Sequence, residues 1–480
     1  MSNLYTDFTR RDFTANFERL LNLLSQEVPE MTDRNHSDAG IALIRLLARQ
    51  TDMLSFYIDE AFTESFIDTA RFKQSLIDIA RTVDCPLKLA ASATSTVILT
   101  RNDTALEAPL VIPKYSIATR IDGAAYLTDA AITFAVDSQE GDTDTVNITQ
   151  GTRQTITIEP SDFISNLDLS GRPKYNLGAG VASGSVSVVE VNDIVWTEVP
   201  SFWRSRDSDR HFMLEVYADL YDGVQDSVFL VLGDGINGFG LPDANLAVTF
   251  NITDGFDGNC GIATITSPPA IASQHTTVSN TVAATGGAPA EAIEDYRRRI
   301  PAVVRTQHRG LTVSDYAALI ESVSGVKHCA VIDRNSSSDW PYLYLFIYVI
   351  PEGGGPLTSQ FKETLSLQCN SWGHLGDWSL RYIIDDAVED PRDMSCTIGV
   401  VAGYNSQDVA NNVETVIEGL FSLDNIGIGD TIKFVDMHYV VSRVPGVSFV
   451  EYPSNPHSED YITASNSILT LNSVSVTVGT

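Results

Sequence analysis

The stretch that decides the fold is residues 38–62, which read DAGIALIRLLARQTDMLSFYIDEAF. Asp38 can cap a helix, and the apolar residues that follow recur at the three- and four-residue spacing of an α-helix. The main stripe consists of Ile44, Leu47, Leu54 and Ile58, and four further large apolar residues lie off it: Leu43, Leu46, Met53 and Tyr57. A helix that is apolar around so much of its circumference must be covered on several faces.

The neighbouring segments predict two shorter helices, at residues 14–28 and 69–83, so the first ninety residues form a helical segment. Two short helices can cover only part of the long one. Either other protein chains cover the rest, or later domains of this chain do, and the pattern fits both. In the first case Leu47, Leu54 and Ile58 are candidate residues of an interchain helical bundle.

Composition narrows the function classes. Of 480 residues, 62 are acidic and 31 are basic, which gives a formal charge of -31. Such a surface repels phosphate backbones and anionic membranes, so we expect neither nucleic-acid binding nor membrane insertion. The longest apolar run, residues 342–350, is far shorter than the ~20 residues of a membrane-spanning helix. The negative charge is explained either by general solvation of the protein surface or by binding of a basic partner. Five scattered cysteines indicate folding in a reducing cytoplasm.

The chain is predicted to be a multidomain α+β protein. Its apolar period changes from the helical one to two near residue 91, and helices and strands alternate toward the end of the chain. We predict an N-terminal helical, bundle-forming segment (1–90) and a β-rich domain of one or two modules (91–271). A connector with a helix pair (272–325) and two C-terminal α/β modules (326–395 and 396–480) follow. A helix, a glycine and a strand recur at Gly325 and Gly446, where the glycine suits a left-handed helix end.

The helix pair carries the one basic cluster of the chain. The first helix is predicted at residues 291–300, ending at Pro301, and the second begins at a capping box, Thr312 to Asp315. The cluster consists of Arg297, Arg298, Arg299, Arg305, His308 and Arg309. It could bind an anion or an acidic partner. The simpler explanation is complementation of the helix dipole together with ion pairs to the chain's own acids.

Residues 233–238, GDGING, match the spacing of a dinucleotide-binding loop. A dinucleotide site also needs a helix directly after the loop, but a proline and another strand follow here. We therefore predict a structural turn formed by Gly233, Gly235, Asn237 and Gly238, in which Asn237-Gly238 supplies the positive φ. Residues 254–259, DGFDGN, lack the ligand spacing of a calcium loop and are also predicted to be a turn.

No arrangement of residues predicts catalysis. His328 and Cys329 are adjacent, but consecutive side chains of a strand point to opposite faces. The eight histidines are too far apart for a local metal pair. We expect no enzymatic activity, no cofactor and no metal.

The order of features resembles the baseplate J-like proteins of contractile phage tails. Residues 38–47 resemble the opening helix of that family, and residues 231–238 resemble its F-G-D-G-x-N-G turn, with Leu232 where phenylalanine is usual. The most recognisable stretch runs from Gly286 to Val326. Within it the similar positions are Glu294, Arg298, Arg299, Pro301, Arg305, Thr306, Gln307, Arg309 and Thr312 to Tyr316.

The resemblance implies a structural wedge protein of a tail baseplate, with several copies and a second wedge protein encircling a central hub or spike. In that family the N-terminal helices join a bundle with neighbouring chains, and the C-terminal modules link wedges into a ring. It implies location in the virion after folding in the host cytoplasm, and help in transmitting the trigger for sheath contraction. The alternative is a β-rich receptor- or glycan-binding tail component with an aromatic platform, whose nearest candidates are Phe202, Trp203, Tyr217 and Tyr221.

Overall fold

A computed structural model describes residues 11–479 except 33, 36–37, 103–107, 165–166, 168–170, 219–225, 308, 334–343, 373–380, 402 and 453–459. The chain forms two compact units. The first contains residues 1–86, 216–227 and 292–300, and the second contains residues 87–215, 228–291 and 301–480. The architecture is α+β, with helices at the N-terminus and strands in the central and C-terminal regions, as the sequence predicts.

The helices of the described residues are α1 Phe13–Glu27, α2 Ala39–Thr63, α3 Lys73–Arg81, α4 Pro160–Ile164, α5 Ile293–Thr306, α6 Val313–Glu321, α7 Ser359–Trp372, α8 Ser406–Leu420 and α9 Phe434–Ser442. Short 3-10 turns occur at Gly255–Gly258 and Ala270–Ala272. None of these helices combines the length and the apolar composition that crossing a membrane requires.

The strands of the described residues are β1 Thr94–Arg101, β2 Leu110–Ile112, β3 Ile117–Arg120, β4 Ala125–Thr128, β5 Ile132–Phe134, β6 Thr143–Gln150, β7 Thr152–Ile158, β8 Lys174–Gly178, β9 Ser187–Glu190, β10 Thr197–Glu198, β11 His211–Tyr217, β12 Ser227–Leu232, β13 Leu246–Ile252, β14 Ile265–Ser267, β15 Thr276–Asn280, β16 Val326–Ile332, β17 Tyr344–Pro351, β18 Arg381–Asp386, β19 Val388–Val400, β20 Val447–Glu451 and β21 Ser467–Val478.

In the first unit, α1 and α2 pack against each other and α3 follows. The Asp38 carboxylate caps α2, because it accepts hydrogen bonds from the backbone N–H groups of Gly40 (2.8 Å) and Ile41 (3.2 Å). Asp12 caps α1 in the same way through the N–H of Ala15. A side-chain contact between Lys73 and Asp226 ties α3 to residues 216–227 of the same unit. The predicted long helix is therefore present, and its cap is the predicted one.

The central part of the second unit is built mainly from antiparallel strands, and the short β10 pairs in parallel with β11. Its largest sheet has the order β14-β3-β4-β6-β1-β15, and its core includes Val97, Leu99, Tyr126 and Ile148. The edge strand β15 lies within the stretch predicted as an extended connector, and it pairs with β1, Val97 opposite Asn280. Its alternating burial comes from that pairing with a strand far away in sequence.

The two C-terminal sheets share one pattern. In each, a central strand pairs antiparallel with one edge strand and parallel with the other: β17 with β16 and β18, and β19 with β20 and β21. A helix and a glycine precede the antiparallel edge strand in both, and Gly325 and Gly446 have φ values of +88° and +95°. The left-handed conformation is the predicted one, but each glycine lies three residues beyond its helix C-cap, Ser322 or Arg443, in the turn that leads to the strand.

One prediction at the helix pair was wrong. Pro301 does not end α5 but lies inside it, and the helix continues to Thr306. Beyond the proline, Val303 and Thr306 are 2% and 4% exposed, so buried packing holds this part of the helix despite the missing backbone N–H. The capping box at the start of α6 is present in both directions, between Thr312 and Asp315.

Glycines of the most recognisable sequence segment lie where backbones of the second unit approach closely. A Cβ atom on Gly287 would lie 2.5 Å from the carbonyl oxygen of Gly255, and one on Gly325 would lie 2.9 Å from that of Gly286. Both distances are shorter than any stable van der Waals contact. These glycines therefore serve close packing of the central sheets on the first C-terminal module.

Candidate oligomerisation surface

Helix α2 exposes a continuous row of large apolar side chains. Seven of them, between 48% and 67% exposed, are Leu43, Leu46, Leu47, Met53, Leu54, Tyr57 and Ile58. We call these seven residues the α2 outer face. A contiguous apolar surface of this kind is unusual on a monomeric protein and is typical of an interaction site.

The buried side of α2 lies opposite, and apart from Ile41 its residues are small or polar. Its buried residues are Ile41, Ala48, Ser55, Asp59 and Thr63. The Thr63 hydroxyl donates to the Asp59 carbonyl oxygen at 2.8 Å, so this polar group is satisfied inside the unit. Contacts within the chain therefore use the small and polar side of the helix, and the large apolar side remains in solvent.

The outer face carries no charge. At about 100° per residue, its seven residues fall within an arc of about 140°, where the other helix positions are Ala39, Gly40, Gln50 and Ala61. Charged residues lie along one side of this arc and have partners within the first unit. The Arg49 guanidinium lies 5.8 Å from the Phe13 ring centroid, and Glu60 pairs with Arg71 at 3.4 Å. The face is thus an uncharged strip with one charged border, and its other border consists of Thr51, Ile44 and Phe62.

The three candidate bundle residues lie on this face. Leu47, Leu54 and Ile58 are 55%, 53% and 48% exposed, whereas Ile44 of the same predicted stripe is half-buried. The sequence identified the other four members of the outer face as apolar residues that need cover, but it placed them off the stripe and not among the bundle residues. The absence of charge from the arc was the signal that could have found them.

Residues 233–238 form a loop between β12 and β13, and no helix follows it. The Asp234 carboxylate accepts hydrogen bonds from the backbone N–H groups of Ile236 (2.8 Å) and Asn237 (2.6 Å), which lower its pKa. Positive φ occurs at Gly235 (+82°) and Gly238 (+86°) and not at Asn237, which corrects that detail of the prediction. A Cβ atom on Gly233 would lie 2.4 Å from the backbone of Gly238, so the glycines serve chain geometry and not a phosphate.

The loop 254–259 uses its polar groups within the chain. Gln150 donates to the Asp254 carboxylate at 2.6 Å, and the Asn259 side chain exchanges two hydrogen bonds with the Gly287 backbone, at 2.8 and 2.9 Å. Across the described ranges no three histidine, cysteine or acidic side chains are grouped as metal ligands.

His328 and Cys329 have separate surroundings on β16. The His328 Nε2 atom contacts the carbonyl oxygen of Leu423, whereas Cys329 lies next to the hydrophobic cluster that includes Cys369. Burial raises the pKa of the Cys329 thiol well above its usual value, which opposes formation of a thiolate nucleophile.

Three arginines of the basic cluster, Arg297, Arg298 and Arg299, bind groups of their own chain. Arg297 donates to the carbonyl oxygens of Ile67 and Ala70, and Arg299 donates to that of Pro86 at 2.8 Å. Arg298 pairs with Asp295 at 2.6 Å. These contacts agree with the internal explanation of the cluster. His308, also predicted to belong to it, lies outside the described residues.

The candidate aromatic platform does not form one exposed surface from all its members. Phe202 is 2% exposed, in a small core with Met213 and Val231, whereas Trp203 is 82% exposed. Tyr217 belongs to the first unit, where the Arg81 guanidinium lies 5.8 Å from its ring centroid. Tyr221 lies outside the described residues.

Comparison with known proteins gives one family match. Residues 11–82 match the family described as bacteriophage baseplate protein, N-terminal domain. Among solved structures, the chain is similar to a chain of the anti-feeding prophage (AFP) baseplate, determined by cryo-EM and 6-fold symmetrised. The two share 12% identity over 95% of this chain and 90% of that chain, with a TM-score of 0.31. A similarity at this level supports no conclusion about this protein. No curated protein matches the sequence.

The family match covers helices α1, α2 and α3 in full. The part of the chain that bears the α2 outer face is thus similar to a structural domain of phage baseplates. This supports the expected class of protein, a structural component of a tail baseplate.

Proposed function

We propose that this chain is a wedge protein of a contractile tail baseplate, of the baseplate J-like family, and that the α2 outer face joins it to other baseplate chains in a helical bundle. The observation that carries the proposal is the face itself. Seven large apolar side chains, uncharged and about half exposed, lie opposite the side of the helix that packs within the chain.

Burial energetics support a bundle. Full burial of a leucine or isoleucine side chain stabilises by roughly 1.5–3 kcal/mol, so burying the exposed half of seven such residues is worth roughly 5–10 kcal/mol before the entropy of association is subtracted. A contribution of this size suits permanent subunits of a particle. Helices of neighbouring chains provide the matching surface, because apolar stripes at helical spacing pack ridge into groove.

In this proposal the activity of the protein is assembly and rearrangement. The partners are further copies of the chain, a second wedge protein and the central hub or spike proteins, and the location is the tail baseplate of the particle. The bundle holds one arrangement until contact with the host shifts it, and the shift helps to release the sheath, since packed interfaces change between discrete states. No catalysis, cofactor, nucleic acid or membrane insertion is part of this role.

The test is site-specific cross-linking during assembly. The chain is co-expressed with the neighbouring tail gene products, with a photoreactive phenylalanine analogue in place of Tyr57 on the outer face. The matched control carries the same analogue at Ile121, an isolated side chain that is 88% exposed. We expect position 57 to cross-link to another baseplate chain and position 121 to give no such product. Products confined to one chain at position 57 would contradict the bundle, and electron microscopy of the complexes shows whether a wedge has formed.

A second candidate role is binding of a receptor or glycan by the β-rich region. It is favoured by Trp203, whose indole is 82% exposed beside the buried Phe202. Exposed tryptophans are common in binding hot spots. A glycan-array screen of the full chain and of Trp203→Ala tests this role, which requires binding that disappears in the variant.

A further inference from the structure

Strand β21 forms one edge of the last sheet, and beyond a bulge at Asn472 its last residues lack the features that protect edge strands. It has 12 residues, SILTLNSVSVTV, with no charged residue, no proline and no glycine. Among the described residues, β21 pairs with one strand, β19, in a parallel ladder. Long, uncharged edge strands are open to pairing with another chain, and natural proteins usually block them with charges, proline or bulges.

Among the described residues, the other uncharged edge strands are short, at most the five residues of β15, and the longer ones are protected. Those of six or seven residues each carry charge: β7 has Arg153, β16 has Lys327 and β18 has Arg381. The comparison with β18 is direct, because it holds the same place in the sister sheet as β21 does in its own. There the carboxylates of Asp385 and Asp386 pair with Lys362 at 2.8 and 3.1 Å.

Backbone geometry identifies the groups that face outward. In a parallel ladder, alternate residues direct both N–H and C=O to the same neighbour. The N–H of Gly479 donates to the carbonyl oxygen of Ile398 at 2.9 Å, so Ser475 and Thr477 also face β19. Val474, Val476 and Val478 therefore direct their backbone groups to the open edge. At the other end of the strand, the outward carbonyl of Ser467 already accepts a hydrogen bond from Gly429 at 2.8 Å.

The side chains set the chemistry of an incoming strand. Val474 and Val476 pack against the core on one face, and Ser475 and Thr477 are exposed on the other. The adjacent residues 394–400 of β19, MSCTIGV, are also uncharged. At the start of this segment the Asp393 carboxylate accepts hydrogen bonds from the side chains of Asn472 (2.7 Å) and Ser473 (2.5 Å). Beyond that point the sheet edge presents backbone donors and acceptors on uncharged strands. The complement is an extended strand that alternates apolar and small polar residues.

Net charge selects between possible donors of that strand. A second copy of this chain would bring another -31 charges, and this edge, unlike the apolar α2 outer face, has only a few backbone hydrogen bonds to offset the repulsion. We propose that the free edge of β21, at Val474, Val476 and Val478, accepts a strand from a different polypeptide, one that is neutral or basic around an alternating apolar and hydroxyl-bearing segment. The inference stands apart from the bundle proposed for α2.

The test uses the full chain and a synthetic peptide of about nine residues that alternates valine and threonine between terminal lysines. We expect fluorescence anisotropy to detect binding of this peptide and not of a variant with proline at its centre. Hydrogen exchange should slow at the amides of Val474, Val476 and Val478, while those of Ser475 and Thr477 are already protected by β19. This measurement needs no substitution in the protein.

Two variants at one position sharpen the test. Val476→Pro removes a single outward N–H and part of a side chain, and Val476→Ala removes a comparable part of the side chain but keeps the N–H. We expect the proline variant to bind the peptide at least about tenfold more weakly, and the alanine variant to stay within about threefold of the wild type. The absence of peptide binding, equal losses in both variants, or no added protection at the three valines would overturn the proposal. Self-association of the chain that Val476→Pro abolishes would assign the edge to a second copy and overturn it as well.

Discussion

Leu54→Asp is the sharpest perturbation of the proposed bundle. The Leu54 side chain is 53% exposed and lies near the centre of the α2 outer face. In the isolated chain an aspartate at this position can point to solvent, so little packing is lost and the helix keeps its buried side. In a bundle the same carboxylate would be surrounded by apolar side chains of other subunits.

The magnitude follows from these two terms. The half of the leucine that is exposed contributes about 1 kcal/mol when it is buried in an interface. An unpaired carboxylate in the same place costs several kcal/mol more. Together they weaken association by about 3–5 kcal/mol per interface, which is more than about 100-fold in the dissociation constant.

The assay is co-expression with the neighbouring tail gene products, followed by size-exclusion chromatography with light scattering and by native mass spectrometry. Ile121→Asp makes the same chemical change at an isolated residue that is 88% exposed, and it should assemble as the wild type does. Leu54→Asp should leave the chain unassembled, with an unchanged thermal transition for the second unit. Normal assembly of Leu54→Asp would refute the assignment of the outer face to a bundle.

Three further predictions concern the stability of the chain itself. Gly238→Ala should lower the free energy of unfolding by about 2–3 kcal/mol, because φ is +86° and the new methyl group meets a buried ring at 2.9 Å, whereas Gly235→Ala, with open space around it, should cost about 1 kcal/mol. Chemical denaturation measures both, and equal costs would contradict this reading of the loop. Arg297→Lys should destabilise the first unit by about 1–3 kcal/mol, since an ammonium cannot reproduce the two carbonyl contacts of the guanidinium. The rate of hydrogen exchange in α3 should rise, and an unchanged rate would contradict this prediction. Burial raises the pKa of Asp129 above its ordinary 3.8, so its contribution to stability is greatest below that pH and falls as the pH rises through the folded value. Asp129→Asn should therefore stabilise more at pH 7 than at pH 4 in chemical denaturation, and an equal effect at both pH values would contradict this reasoning.

Local patterns were enough to predict the helices but not which side of α2 would be covered. The spacing and the cap at Asp38 identify the helix, because both are properties of neighbouring residues. The choice of buried side depends on what the rest of the first unit offers. There the small Ala48 and Ser55 allow close approach, and the larger leucines are left outside. Tertiary packing therefore decides which side of α2 is buried, and the spacing of apolar residues in the sequence does not specify it.

Elements that depend on distant pairing were the hardest to predict. Residues 276–280 are rich in threonine and look like a connector, yet they form β15 because β1 supplies the hydrogen-bonding partner. Pro301 predicts a helix end from local sterics, and burial of Val303 and Thr306 keeps the helix intact beyond it. In the loop at 233–238 the type of structure was predictable from the proline and strand that follow. Which residues take positive φ was not, since Gly235 and Asn237 both suit it.

The outer face of α2 has a consequence for the order in which a particle can be built. A newly made chain exposes this apolar face to water until another subunit binds it. Premature contact between two such chains would remove both from assembly. The 31 surplus negative charges oppose such contact over a Debye length of about 8 Å at physiological salt. We therefore expect the first productive encounter to be with a subunit that is less acidic. The same chain would then carry both the apolar surface that drives assembly and the negative charge that delays it.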